Sequence, residues 1–423
     1  MSLTAPLKEG IDCFTHFPAS LAGIDMGNTV RPTGGLNMDF YTRDYLSNSS
    51  SSSIAWIGSI NAFILISGGL ISGPLFDRGY FRTLVYGGCL IQSFSLFMLS
   101  LCKRQQYYQI FLAQGLGLGI GFGMVYLPSI AVLSHYFRRR RALAMTIAAS
   151  GSSLGATVHP IMLNNTFDKL GFGNAVRASA GMISALLLVV CLIMHPRLPP
   201  AAGRRSVLRA VPRFARDGVY VFAVLGMAFY NIGFYFVLFY LQLDSITHGI
   251  SQTLSFYSLV IMNGASFFGR LSPGFFAHKL GVVNIICASA GVGTVLIFCV
   301  IALKTVASVV TIGVLYGYSV GIFVTMMAPL LTVLTDDMGE LGLRMGLGFS
   351  VVGIAGLIGP PINGALLTSR YIWWKPALFS GIMALVGFGF LLATVFAFRR
   401  KMRVRREGEI GKSETRNEEK GAA

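Results

Sequence analysis

The stretch IAWIGSINAFILISGGLISGPLFDRGYFR (residues 54–82) decides the fold of this 423-residue chain. Its apolar part, up to Leu75, is long enough for an α-helix to cross about 30 Å of hydrocarbon. A polar turn at Asp77 and Arg78 follows it. Similar runs recur along most of the chain, and they do not alternate polar with apolar residues as barrel strands do. The stretch therefore predicts an all-α protein that crosses a membrane several times.

The sequence predicts about eleven membrane-spanning helices. They lie near residues 54–75, 83–102, 107–133, 142–164, 177–194, 218–241, 254–276, 282–303, 306–330, 344–368 and 374–398. The composition agrees, because the chain is 54% hydrophobic and only 12% charged, whereas soluble proteins carry about 25% charged residues. This composition excludes an ordinary soluble domain.

The net charge of +17 is concentrated in alternate loops. The richer side carries Arg78, Arg82, residues 138–141, Arg197, Arg204, Arg205, Arg209, Arg213, Arg216, Lys279, Arg344 and the basic residues of 399–406. Because basic loops stay on the cytoplasmic side, this pattern predicts a cytoplasmic C-terminus, and we expect the plasma membrane as the location. Basic runs that flank membrane spans favour topology signals over nucleic-acid binding.

A polar, Pro-rich stretch divides the chain into two parts. We predict an N-terminal segment and external loop (1–53), an N-terminal helical lobe (54–194), a cytoplasmic linker (195–217), a C-terminal helical lobe (218–398) and a basic, polar cytoplasmic tail (399–423). The lobes echo each other, since SGSSLGATVHPIM (150–162) resembles VGIAGLIGPPING (352–364). Internal repeats of this kind are typical of transporters whose substrate site lies between two related halves.

Three stretches together resemble the major facilitator superfamily, and specifically its fungal monocarboxylate-transporter-like branch. They are residues 54–82, HYFRRRRALAMTIAASGSSLG (135–155) and RMGLGFSVVGIAGLIGPPINGAL (344–366). The resemblance implies two six-helix lobes, twelve helices in all, that work by alternating access. The sequence departs from this pattern, because residues 1–37 contain no apolar run long enough for a span. We therefore expect the family's first helix to be missing from this chain.

Arg270 is the charged residue that the sequence places deepest in a span, within FYSLVIMNGASFFGRLSPGFFA (256–277). A guanidinium at this depth costs at least about 2.5–3.5 kcal/mol, so it needs a partner or a water-filled cavity. The predicted spans contain no Asp or Glu, and the carboxylate of a substrate is the simplest partner. The resemblance assigns an Arg at this place to substrate binding; the alternative is a structural Arg directed toward the helix end.

Other polar residues in spans are candidates for the same pocket, because such side chains tend to face the bundle interior. These candidates are Asn263, Tyr230, Asn231, Tyr235 and Gln114. His159 is a candidate for proton coupling, since an imidazole titrates near physiological pH. The alternative for each of these residues is a hydrogen-bonded packing role.

Asp77, Arg78 and Arg82 lie in the loop that follows the first predicted span. The resemblance implies that the Asp caps a helix of the other lobe and pairs with nearby arginines, for which Arg138 is a candidate. A carboxylate at a helix N-terminus contributes up to about 1 kcal/mol, which is enough to shift an equilibrium between two states. We therefore predict that these residues have a gating role.

These features predict a secondary active transporter of a small organic anion, a monocarboxylate by resemblance, with a coupled proton as a second cargo. A vitamin or a secondary metabolite is the alternative substrate, and a non-transporting relative or receptor is the alternative function. The sequence shows no Ser-His-Asp order with plausible geometry, no metal-ligand cluster and no paired carboxylates in its spans. We therefore expect no enzyme activity, catalytic residue, cofactor or metal.

Overall fold

A computed structural model of the chain describes residues 51–137, 141–196, 207–247, 251–303, 305–367 and 373–421. Its helices are α1 Ser51–Ser67, α2 Gly69–Asp77, α3 Phe81–Leu101, α4 Tyr107–Ile110, α5 Leu118–Tyr136, α6 Arg141–Ile193, α7 Val207–Ala215, α8 Gly218–Thr247, α9 Gln252–Leu280, α10 Val282–Cys299, α11 Val306–Val333, α12 Leu341–Leu367 and α13 Trp374–Gly421. A π-helix, Phe111–Gly117, joins α4 to α5, and short 3₁₀ turns occur at Val300–Ala302 and Met338–Glu340. The predicted all-α architecture is confirmed for this part of the chain.

Nine helices within the described ranges are long and apolar enough to cross a membrane. The spans predicted near 142–164 and 254–276 are not among the nine, although both segments are helical, in α6 and α9. Their polarity explains the difference, since the first carries a run of serines and the second carries Arg270. α6 consists of two helical segments that meet at Gly171, whose φ of 72° is a conformation that favours glycine.

The helices form two lobes. In the N-terminal lobe, α3 packs against α5 and α6; in the C-terminal lobe, α8 packs against α13 and α9 against α11. Between the lobes, α1 and α2 contact α12, and α6 contacts α9. Because successive helices reverse direction, the end of α2, the start of α6, the end of α9 and the start of α12 share one end of the bundle, here called the Asp77 end.

At the Asp77 end, α2 and α12 approach each other backbone to backbone. A Cβ atom on Gly346 would lie 2.2 Å from the carbonyl oxygen of Gly69, and one on Gly73 would lie 2.2 Å from that of Gly342. Small residues permit this approach between membrane helices. We call these four glycines the glycine contact; it joins the two lobes without intervening side chains.

Two of the predicted segments contain helix, and others lie partly or wholly outside the described residues. The predicted linker 195–217 includes helix α7, and the predicted tail 399–423 continues α13 as far as Gly421. Residues 1–50, to which the predicted loss of the first helix refers, lie outside the described part, as do residues 197–206 and Arg138. Helix α7 contacts α8, and Phe214 and Asp217 contact Arg344 of α12.

Candidate functional site

A cavity lies between the two lobes. The space not filled by protein atoms is about 1540 Å³, including the part open to solvent. Its described lining is largely apolar and aromatic, with rings from Phe122, Tyr126, Phe234, Tyr235, Tyr316 and Phe349. Its polar members include Asn61, Gln114, Ser152, Asn231, Asn263, Ser266 and Arg270. The structure therefore brings together five of the six predicted substrate-binding residues.

Arg270 lies at the side of the cavity nearer the Asp77 end. Its Nη1 donates to the carbonyl oxygen of Ala149 at 3.0 Å and to Ser152 Oγ, and its Nε donates to Ser266 Oγ at 3.4 Å. Neutral oxygens of α6 and α9 are thus partners of this guanidinium, and a substrate carboxylate as a further partner stays a prediction. Among the described lining residues, Arg270 is the charged one, so the cavity favours an anion.

Amide side chains line the opposite part of the cavity. Gln114 lies in the π-helix, a type of distortion that often occurs at functional sites. Asn61 Nδ2 donates to the backbone carbonyl oxygen of Gln114 at 2.7 Å. Asn231 is 4% exposed, and within the described structure its Oδ1 has no hydrogen-bond partner. A buried acceptor of this kind is costly unless a ligand donor meets it.

Tyr230 does not line the cavity, so the prediction for this residue is corrected. It is fully buried, with its ring centroid 4.1 Å from that of Phe323 in α11. A Cβ on Gly293 would lie 1.9 Å from its hydroxyl oxygen, so the hydroxyl points toward α10. The physical reason is helical geometry, since consecutive residues of a helix differ by about 100° in direction and Asn231 takes the cavity side.

His159 lies inside the N-terminal lobe, away from the described lining of the cavity. Its side chain is 1% exposed, and Nε2 is 2.5 Å from Ser179 Oγ in the second half of α6. Nδ1 has no partner among the described residues. This geometry joins the two halves of α6, and a proton-coupling role for His159 stays a prediction.

Asp77 caps helix α12 of the other lobe. Its Oδ1 accepts from the backbone N–H of Gly342 at 3.1 Å, and its Oδ2 accepts from that of Leu343 at 2.9 Å. These bonds satisfy N–H groups that have no partner within the helix and place a negative charge at the positive helix end. The cap on a helix of the other lobe is what the family resemblance implied, whereas the pairing with arginines and the gating role stay predictions. Arg78 and Arg82 are exposed beside it.

Arg344, which the sequence analysis placed in a basic loop, is buried in the first turn of α12. It forms an ion pair with Asp217, and its Nη1 donates to the carbonyl oxygen of Leu334 at 2.8 Å. Its guanidinium carbon lies 5.0 Å from the ring centroid of Phe214 and 4.7 Å from that of Tyr220. These contacts attach the end of α7 to the helix turn that Asp77 caps, and no local sequence signal marks them.

Three further cavity residues were not predicted from the sequence: Asn61, Ser152 and Ser266. All three are polar side chains within predicted spans, so the rule that selected Asn263 and Gln114 could have found them. The cavity phenylalanines carry no such signal, since they have no polar atom that distinguishes a cavity face from a face in contact with lipid.

Residues 38–339, more than half of the chain, match the family described as Major Facilitator Superfamily. The chain belongs to the Major Facilitator Superfamily. It is thus a multi-pass membrane transport protein, and members of this superfamily handle small-molecule substrates.

This major facilitator is similar to several fungal efflux proteins. It is 38% identical over 369 residues to the aspyridones efflux protein apdF of Emericella nidulans, covering 87% of this chain and 73% of the relative. It is 36% identical over 358 residues to the agnestins efflux protein AgnL12 of Paecilomyces divaricatus, covering 85% and 81%. These relatives are transporters, in agreement with the expectation that this protein is not an enzyme.

Solved structures confirm the predicted fold. The human organic anion transporter MFSD10 (TETRAN) superposes with a TM-score of 0.71 at 15% identity, covering 91% of this chain and 99% of that one. FucP in its outward conformation gives a TM-score of 0.70 at 14% identity, covering 91% and 98%. The likeness establishes the two-lobed major facilitator fold.

Proposed function

We propose that this protein is a secondary active transporter that exports a largely apolar organic anion by alternating access between its two lobes. The observation that carries the proposal is the position of Arg270, a cation on the wall of a mainly apolar, aromatic cavity between the lobes. A guanidinium binds planar anions bidentately. The attraction between the two charges is stronger in a poorly solvated cavity than in water. The cavity between the lobes favours transport over a receptor without transport activity.

The substrate class follows from the cavity and the relatives. Aromatic walls provide apolar and stacking contacts for a ligand larger than a short monocarboxylate. Asn231 Oδ1 would accept a hydrogen bond from a hydroxyl or N–H group of the same ligand. The relatives' names refer to efflux of aspyridones and agnestins, which supports the secondary-metabolite alternative over a short monocarboxylate or a vitamin.

The proposed sidedness places the Asp77 end in the cytoplasm, because the basic loops are at this end. The plasma membrane is the location proposed for the protein. In this orientation the structure has its cytoplasmic side closed by the glycine contact and by the Asp77 cap. Export then requires the lobes to separate at the Asp77 end, admit the anion and close again. His159 stays the candidate for a coupled proton.

Transport of a matched acid and neutral compound tests this function. Purified protein in lipid vesicles should transport labelled 2-naphthoate in a saturable, protein-dependent way, and should transport 2-naphthamide at least about tenfold more slowly. The two probes share one aromatic ring system and differ in charge. Equal protein-dependent rates for both would refute the organic-anion proposal.

The Asp77→Asn variant tests the proposed gating role. The amide keeps the size of the side chain but removes the charge at the α12 N-terminus, an effect of up to about 1 kcal/mol, or roughly two- to fivefold in the lobe equilibrium. We expect the transport rate to change more than the binding affinity for 2-naphthoate, both measured on purified protein. Asp336→Asn is the control, since Asp336 contacts Lys401 within the same lobe at 3.1 Å. An equal loss of rate and affinity, at normal expression, would contradict gating.

A further inference from the structure

The hydrogen bonds of Arg270 cross from one lobe to the other. Arg270 belongs to α9, whereas its acceptors Ala149 and Ser152 belong to α6. Closer to the Asp77 end the same two helices touch, since a Cβ on Gly274 would lie 2.2 Å from Thr146 Oγ1. The bonds of Arg270 to α6 therefore exist only while α6 and α9 are in contact, which is the state with a closed Asp77 end.

The same guanidinium also faces the cavity. Arg270, Ser152 and Ser266 all belong to its lining. A carboxylate that binds an arginine bidentately uses two neighbouring N–H groups. Nη1 already donates to two oxygens of α6 in the closed state. A carboxylate that binds the edge formed by Nη1 and Nη2 therefore competes with these oxygens for the guanidinium.

We infer that Ser152 is a positioning residue that makes the affinity of Arg270 for an organic anion depend on the state of the lobes. This inference rests on the proposed function. When the lobes separate at the Asp77 end, Arg270 loses Ser152 and Ala149 and binds the anion tightly. When the lobes join, the two oxygens compete with the anion, and its affinity falls. By linkage, a bound anion then favours the separated state by the same factor.

The direction of this effect suits an exporter. An anion binds tightly while the site faces the Asp77 end, and it is released when the lobes join there and the site faces the opposite end. A neutral amide of the same shape competes for the guanidinium only through one uncharged acceptor, so its affinity changes much less between the two states. Ser153 adds another hydrogen bond between the lobes, since its Oγ donates to Ser266 Oγ at 3.2 Å. This bond does not involve the guanidinium of Arg270.

The test compares Ser152→Ala with two matched variants of the purified full-length protein. Ser152→Ala removes the hydroxyl oxygen that accepts from Arg270 in the closed state. The variant should therefore bind 2-naphthoate about three- to tenfold more tightly than the wild type. KM and kcat for transport should fall together, because release becomes slower. Ser152→Thr keeps the hydroxyl and should restore wild-type values. Ser150→Ala is the control and should change nothing, since Ser150 Oγ donates to Ile147 of its own helix at 2.7 Å.

A second measurement without ligand separates this inference from the proposed function. Spin labels at Tyr80 and Lys279, exposed on different lobes at the Asp77 end, report the distance between lobes after replacement of the native cysteines. Ser152→Ala should increase the fraction of molecules whose lobes are separated at the Asp77 end. In an Arg270→Ala background the same substitution should leave that fraction unchanged. An unchanged population, or an equal change in Ser150→Ala, overturns the inference. Equal binding of 2-naphthoate and 2-naphthamide by the wild type overturns the proposed anion substrate instead.

Discussion

Gly346→Ala is expected to lower the transport rate by about ten- to a hundredfold while the protein remains folded. The added Cβ would lie 2.2 Å from the carbonyl oxygen of Gly69 and 2.8 Å from its carbonyl carbon, both backbone atoms of the other lobe. No change of rotamer can relieve this overlap, so the lobes cannot close at the Asp77 end. Separation of the lobes relieves it completely, and α12 gains up to about 1 kcal/mol from the replacement of a helical glycine by alanine.

The measurements for Gly346→Ala are the transport rate, the thermal unfolding midpoint and the distance between spin labels at Tyr80 and Lys279. The midpoint should stay level or rise, and the distance should shift to the separated state. Gly264→Ala is the matched control, because its added Cβ would meet no atom of another helix within 4 Å. Normal transport by Gly346→Ala would show that closure of the glycine contact is not part of the cycle.

Arg270→Ala should nearly abolish transport of an organic anion. Loss of a charge-assisted pair in a poorly solvated site costs roughly 2–5 kcal/mol, which is about thirtyfold to several thousandfold in affinity. Arg270→Lys keeps the charge but loses the planar pair of donors, so it should give an intermediate loss. The measurement is uptake of labelled 2-naphthoate and 2-naphthamide into vesicles by the wild type and both variants.

Because Arg270 also contacts α6, the experiment must distinguish loss of anion recognition from weaker closure of the lobes. Arg270→Ala also removes the bonds to Ala149 and Ser152, so a general weakening of closure would reduce transport of both probes alike. A role in anion recognition predicts a loss for the acid that is much larger than for the amide. Normal transport of the acid by Arg270→Ala would make this residue structural and would end the organic-anion proposal.

The fold could be predicted because its signal is local. An apolar run such as Phe81–Leu101 carries its own evidence for a membrane helix, and the predicted span 83–102 lies within two residues of it. The position of Arg270 could be predicted for a similar reason, since a charge inside an apolar run is visible in one window. The sequence also excluded an acidic partner within the spans. It could not reveal Ala149 as an acceptor, because every residue has a backbone carbonyl.

The remaining errors have non-local causes. Arg344 looked like a loop residue because the apolar run begins beside it, whereas its burial depends on Asp217, Phe214 and Tyr220, more than a hundred residues earlier. Tyr230 was assigned to the cavity because membrane helices are apolar on nearly all faces, so no amphipathic stripe indicates which face meets the other lobe. Such choices are made by packing between helices, and they become visible only in the folded bundle.

The π-helix Phe111–Gly117 is a place where the lining of the cavity can change through loss or gain of one residue. A π segment accommodates extra residues within a helix that otherwise has α geometry, and each residue added or removed turns the preceding part by about 100° relative to the rest. Loss of a single codon in this segment would therefore turn Gln114 and the side chains before it to new directions, while α5 kept its packing against α3. An insertion or deletion here would change the lining of the cavity while the helix that follows keeps its packing.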